Sequence, residues 1–212
     1  MSFKISKSFN VTYSHRLHNQ GVGIGACGAE NKCRQIHGHN GVVKIKLSAK
    51  DVNDKGMVTD FADLNWLKKE LDEVIDHKTI LYKEDPMLKL LFAGVEQPYP
   101  YTEFNAHPVI TPLKEYEPMN GYLPHWKYFG GGHEKIYRFD KLLDCPRELK
   151  EEYFQSFVLV DFIPTAENLA KWVYYTIWEH QFDEDSTVQV HSVKWKESEN
   201  SSATYKPNPH KL

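Results

Sequence analysis

The stretch Cys33-Arg34-Gln35-Ile36-His37-Gly38-His39 runs directly into an alternating segment at 42–47, and no other feature constrains the fold as strongly. Alternation of apolar and polar residues marks a β-strand with one buried face. Histidines at i and i+2 of such a strand point to the same face, because successive side chains alternate. His37 and His39 therefore form a pincer suited to a metal ion. Gly38 between them presents no side chain to the opposite face, so a backbone or ligand can approach closely. Cys33 lies four residues before His37, near enough for a loop to bring its sulfur over the same pocket. Alone, an HxH triplet is also compatible with an incidental pair of strand histidines.

The 212 residues, 41% of them hydrophobic, can bury one sizeable core, which fits one domain with or without an insertion. Lys and Arg number 26 against 29 Asp and Glu, so no overall basic charge is available to hold a nucleic-acid backbone or an anionic membrane. No apolar run approaches the ~18 residues of a membrane span, and the opening MSFKISKSFN lacks the apolar centre of a signal peptide. The expectation is a cytoplasmic protein acting on a small molecule. Three cysteines (Cys27, Cys33 and Cys145) form no disulfide framework, which fits a reducing compartment and leaves Cys33 for chemistry.

Residues 3–15 read as a strand on a period of two, ending at His15. Paired with 37–47, that strand would carry His15 to the His37/His39 pincer. Three imidazoles with an open fourth position suit catalytic zinc (Zn2+) better than a closed structural site. The glycine-rich stretch 18–32 reads as a loop. Asp60 caps a helix supported by Asp63, with Leu64, Leu67, Leu71, Val74 and Ile75 on one apolar face. It ends at Asp76-His77, where the carboxylate can orient the ring for acid/base work. The same pair also fits a helix-end histidine facing the C-terminal dipole.

Prolines at 98, 100, 108, 112, 118 and 124 exclude a long helix there, and the many aromatics favour an ordered insertion at about 92–156. Its histidines (His107, His125 and His133) have no distinguishing spacing. Regularity returns at 157–162. Thr165 then caps a helix with Leu169, Trp172, Val173, Thr176 and Ile177 on its face. Strands at 188–197 and 202–205 follow. Glu197 can accept hydrogen bonds from an amino-substituted heterocycle, or stand as a solvated strand-end charge.

The ordered set SHRL (14–17), CRQIHGH (33–39), GMVTDF (56–61), DHKTIL (76–81), PTAENLAKW (164–172) and KE (196–197) resembles the 6-pyruvoyl-tetrahydropterin synthase superfamily. The resemblance covers residues 3–91 and 157 to about 205. It implies an α+β tunnelling fold (T-fold): a four-stranded antiparallel sheet with two helices on one face, inserted between the second and third strands. It further implies a single domain over 1–212 carrying the insertion, and a homo-oligomeric β-barrel, usually a hexamer built as a dimer of trimers. By resemblance the zinc ligands fall on His15, His37 and His39. The catalytic residues fall on Cys33, Asp76 and His77, with the Asp-His pair commonly supplied by a neighbouring subunit. Glu197 falls on the pterin anchor, and Thr165 and Glu167 on a motif lining the pterin pocket.

Three residues separate Cys33 from His37. That gap is similar to bacterial 6-carboxy-tetrahydropterin synthases of the queuosine (7-deazapurine) route. The animal pyruvoyl branch spaces its cysteine by five, which here falls on Asn31. The implied activity is a zinc-dependent lyase converting 7,8-dihydroneopterin triphosphate to 6-carboxy-tetrahydropterin, acetaldehyde and triphosphate. Arg16, Lys32 and Arg34 are candidates for the triphosphate. A lyase making another pterin product, or a non-catalytic pterin- or purine-binding module, are the alternatives.

Overall fold

The computed structural model describes residues 2–18, 32–83, 85–91, 156–181 and 187–207. Its elements are β1 (Phe3–His15), β2 (His37–Ala49), α1 (Asn65–Val74), β3 (Lys78–Tyr82), the single-turn α2 (Leu88–Leu91), β4 (Phe157–Val160), α3 (Ala166–Gln181), β5 (Val188–Lys196) and β6 (Ser202–Tyr205). The glycine-rich loop with Cys27, most of the insertion with Cys145 and its three histidines, and the last five residues lie outside the described residues.

The period-two segments pair as long antiparallel ribbons. β1 and β2 run in unbroken register from Phe3↔Ala49 to His15↔His37. β2 pairs antiparallel with β5, and β5 with β6. On one face Phe9, Val11, Val43, Ile45, Leu47, Val193 and Trp195 are buried, while their alternating neighbours face outward.

The expected four strands are all present, but the sheet has six, in the order β4-β3-β1-β2-β5-β6, and it is mixed rather than purely antiparallel. β3 joins β1 in parallel at Tyr13–His15, and β4 joins β3 in parallel. The cause lies in two short apolar runs, around Ile80-Leu81 and Val158-Leu159-Val160, all buried. Strands covered on both faces read as apolar runs without alternation, so their pairing is not announced by a period.

α1 and α3 cover the apolar face and, in chain order, both fall between β2 and β5. Asp60 caps the turn Phe61–Leu64 that leads into α1: its carboxylate accepts from the Ala62 N–H at 2.8 Å, and Asp63 accepts from the Asp60 N–H at 3.1 Å. Leu64, Leu67, Leu71, Val74 and Ile75 are all buried, as the helical spacing requires. Thr165 accepts from the Asn168 N–H at 3.3 Å, and the α3 face of Leu169, Trp172, Val173, Thr176 and Ile177 packs on the sheet. Among the described residues no helix is long and apolar enough to cross a membrane.

Candidate metal centre

β1 ends and β2 begins at one rim of the sheet, and the ladder sets His15 opposite His37 and Tyr13 opposite His39. Cross-strand partners share a face, as do residues two apart on one strand. Register alone therefore gathers four rings. The His15–His37 centroids lie 4.7 Å apart, and each of the other two histidine pairs 5.0 Å apart. One ligand nitrogen from each histidine lies within 4.8 Å of the others, and among the described residues this is the group of metal-type ligands that converges.

Hydrogen bonds fix which nitrogen each ring turns inward. His15 donates its Nδ1–H to the Pro164 carbonyl at 2.6 Å, and His37 donates its Nδ1–H to the Gln35 carbonyl at 2.9 Å. A carbonyl oxygen can only accept, so in both neutral rings Nε2 keeps its lone pair. His39 bonds to the backbone of Glu197 and brings its Nε2 to 3.2 Å from the His15 Nε2. Two such nitrogens at that distance require a proton or a cation between them. Nitrogens on a tetrahedral zinc stand about 3.4 Å apart, so this donor set fits a divalent metal.

Electrostatics agree. His15 is 1% exposed, and burial pushes its pKa down to about 4. Burial also lowers His39, opposed by the Glu197 charge. Both imidazoles are held neutral, which is the ligating form. The metal-free protein is consequently expected to lose stability in acid. The unfolded chain takes up a proton at His15 near 6.5, while the folded chain resists until about 4. Stability present above pH about 6.5 falls by on the order of 3 kcal/mol as pH drops toward 4. Denaturant titrations of chelator-treated protein across that window check this; a flat profile would contradict a neutral buried His15.

Tyr13 was not singled out by the sequence, although it lies two residues before His15 on the same face. It accepts a hydrogen bond from Trp195 Nε1 at 2.8 Å and donates to Glu197 Oε1 at 3.4 Å. Burial raises its pKa, so the phenol stays protonated as a donor. Glu197, which continues from the end of β5, places Oε1 3.8 Å from the His15 Nε2. Gly41 makes room for this arrangement, since a Cβ there would lie 3.1 Å from both the Tyr13 ring and the Lys196 carbonyl.

The other sequence candidates are placed unequally. Cys33 sits half-buried on the turn Lys32–Arg34, its carbonyl accepting from the Leu17 N–H at 2.8 Å, outside the converging ligand group. Thr165 caps α3, and the preceding Pro164 supplies the carbonyl that orients His15, whereas Glu167 is exposed. Lys32 and Arg34 are exposed, whereas Arg16 is buried with its Nε 3.0 Å from the Asp85 carboxylate.

Asp76 and His77 lie beside Thr12 of β1, just before β3 joins that strand. Asp76 accepts from the Thr12 N–H at 2.6 Å and from the His77 Nδ1–H at 2.7 Å, and the His77 N–H donates to the Thr12 carbonyl at 2.5 Å. Burial alone would raise the Asp76 pKa; the bonds from Thr12 and His77 hold it below its usual range. The His77 ring is 79% exposed. Thr12 is three residues from His15, about 10 Å along a strand, so one chain does not bring this pair into the histidine group. His77 also has φ of 59°, a left-handed backbone that costs a non-glycine residue roughly 1 kcal/mol or more. His77→Gly is expected to unfold at no lower denaturant concentration than the parent, and His77→Val to lose about 1–2 kcal/mol. Chemical denaturation of both variants checks the strain.

A sequence model of the family described as 6-pyruvoyl tetrahydropterin synthase matches residues 4–208. The 6-carboxy-5,6,7,8-tetrahydropterin synthase of Aquifex aeolicus is 34% identical over 94 residues, covering 41% of this chain and 57% of that protein. The Rickettsia bellii protein of the same name is 42% identical over 59 residues, covering 27% of this chain and 43% of that one. The chain thus spans about half the length of these curated relatives. An uncharacterized protein from Wolinella succinogenes superposes over 98% of this chain and 99% of its own, with a TM-score of 0.71 and 26% identity. The 6-pyruvoyl tetrahydropterin synthase of Plasmodium vivax shares the fold, with a TM-score of 0.50 over 98% of this chain and 99% of its own at 15% identity. With the match running almost end to end over a T-fold sheet, the chain belongs to the 6-pyruvoyl tetrahydropterin synthase family.

Proposed function

We propose that the protein is a metal-dependent pterin side-chain lyase that converts 7,8-dihydroneopterin triphosphate, with water, to 6-carboxy-5,6,7,8-tetrahydropterin, acetaldehyde and triphosphate, on the 7-deazapurine (queuosine) route. The observation that carries this reading is the convergence of three imidazoles beside a carboxylate, Glu197, itself held by a protonated phenol. The names of the curated relatives and the gap of three residues between Cys33 and His37 favour the carboxy product over its pyruvoyl counterpart.

His15, His37 and His39 would hold the ion, zinc in this reading. When bound, such an ion supplies Lewis acidity toward side-chain oxygens of the substrate. Glu197 accepts hydrogen bonds from the amino edge of the pterin ring. Tyr13 and Trp195 keep its carboxylate from turning away, which positions the substrate side chain over the histidines. Cys33, as thiolate, takes a proton from the carbon of that side chain and returns it. Thr165 and Glu167 belong to the segment that closes the pocket behind His15.

His77 is the partner acid/base and Asp76 its orienter, delivered from a neighbouring copy. Among the described residues the β1 backbone over 3–11 is an edge left open by β3, the His77 ring is solvent-facing, and Phe3 and Phe61 are 49% and 51% exposed. A second copy continuing this edge would satisfy the strand, cover the phenylalanines and bring His77 to a histidine group not its own. The assembly in this reading is a homohexamer formed as a dimer of trimers, each chain a single domain with the insertion at about 92–156. Chelator-treated protein is expected to leave 7,8-dihydroneopterin triphosphate intact and to regain turnover with one equivalent of zinc per chain. Full turnover without metal would remove the histidine group from the chemistry.

A further inference from the structure

The sheet face opposite the helices has a charge pattern that the histidine group does not use. β1, β2, β5 and β6 contain no Asp or Glu, although the whole chain carries 29 of them. Lys4, Lys44, Lys46, Lys194 and Lys196 alternate outward from these strands, opposite to the buried positions between them. Lys44 and Lys194 are direct cross-strand partners. Like charges so placed repel, and a sheet built only for stability avoids the pairing. Among the described residues none of the five has an acidic partner within ion-pair distance.

A β-bulge sharpens the pattern. Lys46 pairs with Ser192 and Leu47 with Val190, leaving His191 as the extra residue of β5. Bulges re-aim a side chain. The charges of Lys4, Lys46 and Lys206 act on His191. The cluster lies about 7 Å along the strands from the Lys44–Lys194 pair, and serines and threonines such as Ser6, Ser8 and Thr204 fill the neighbouring outward positions.

We propose that this helix-free face is a binding site for a small inorganic polyanion of the triphosphate class, held by Lys4, Lys46, Lys194 and His191. Charge complementarity selects an anion with several negative oxygens, because Lys4, Lys46 and Lys194 stand on three adjacent strands, each offset by two residues from the next in one diagonal row. The outward positions carry no Phe, Tyr or Trp. A single-stranded nucleic acid would find no stacking platform there, and a nucleotide would gain nothing from its base. The site needs neither the metal ligands nor the reaction proposed for them, since His15, His37 and His39 point to the other face of the sheet.

The test is calorimetric titration of inorganic triphosphate into the full-length protein, into Lys46→Gln/Lys194→Gln, into Lys46→Arg/Lys194→Arg, and into His37→Ala. Binding is expected in the parent and, unchanged, in His37→Ala. It is expected to weaken by roughly tenfold or more in the glutamine pair and to survive in the arginine pair, which keeps the charge. ATP is expected to bind no more tightly than inorganic triphosphate. No binding by the parent, equal binding by the glutamine pair, or loss of binding in His37→Ala would each overturn the proposal. So would failure of the arginine pair to bind, or a clear preference for ATP.

Discussion

Cys33→Ala is expected to lower turnover of 7,8-dihydroneopterin triphosphate by about 1,000-fold, the middle of the range for removing a proton-transfer group, while metal content stays at one ion per chain. The two effects separate because Cys33 stands on the turn before β2 and outside the converging histidine nitrogens. Its side chain is half-buried, so truncation leaves the core intact. Turnover and elemental analysis on the same preparation check the pair of outcomes. Unchanged turnover would remove Cys33 from proton transfer; loss of metal with turnover would make it a ligand instead.

The second large effect is expected at His37. It lies on the rim, at the first position of β2, and its neighbours in the group are buried or half-buried. His37→Ala is expected to weaken zinc binding by at least about 100-fold, more than loss of an outer hydrogen-bonding partner costs, and to abolish turnover. Zinc should stabilise the parent against unfolding by about 4 kcal/mol when free metal is ~1,000 times its dissociation constant. The variant should gain no more than about 1.4 kcal/mol at the same concentration. Thermal denaturation with and without zinc reads this directly. Equal stabilisation of parent and variant would place the metal elsewhere.

Much of this was legible before any coordinates. His37 and His39 share a face because the strand period is two, and His15 joins them because β1 and β2 pair in a register that sets His15 against His37. The faces of α1 and α3 follow from helical spacing and are buried where that spacing puts them. How β3 and β4 join the sheet was not legible, because a short strand buried on both sides has no alternation and its parallel partner is distant in sequence. The role of Pro164 was hidden for a different reason: it acts through its backbone carbonyl, which its identity does not reveal. Tyr13 stood on the right face, but a strand tyrosine beside apolar residues reads as core. Arg16 looked like a phosphate ligand by its nearness to His15, yet Asp85, nearly seventy residues on, takes it into a buried pair.

The location of Asp76 and His77 bears most on the account. The sequence places them together, and the structure fixes them to Thr12 with a strained backbone at His77. Strain retained on an exposed ring at a sheet edge is consistent with a functional demand that the folded chain alone does not explain.

The most direct measurement is mass spectrometry of the products formed when the zinc-loaded protein is incubated with 7,8-dihydroneopterin triphosphate. The account predicts 6-carboxy-5,6,7,8-tetrahydropterin with equimolar acetaldehyde and triphosphate. A different pterin, or intact substrate from protein that is folded and carries its metal, would contradict it.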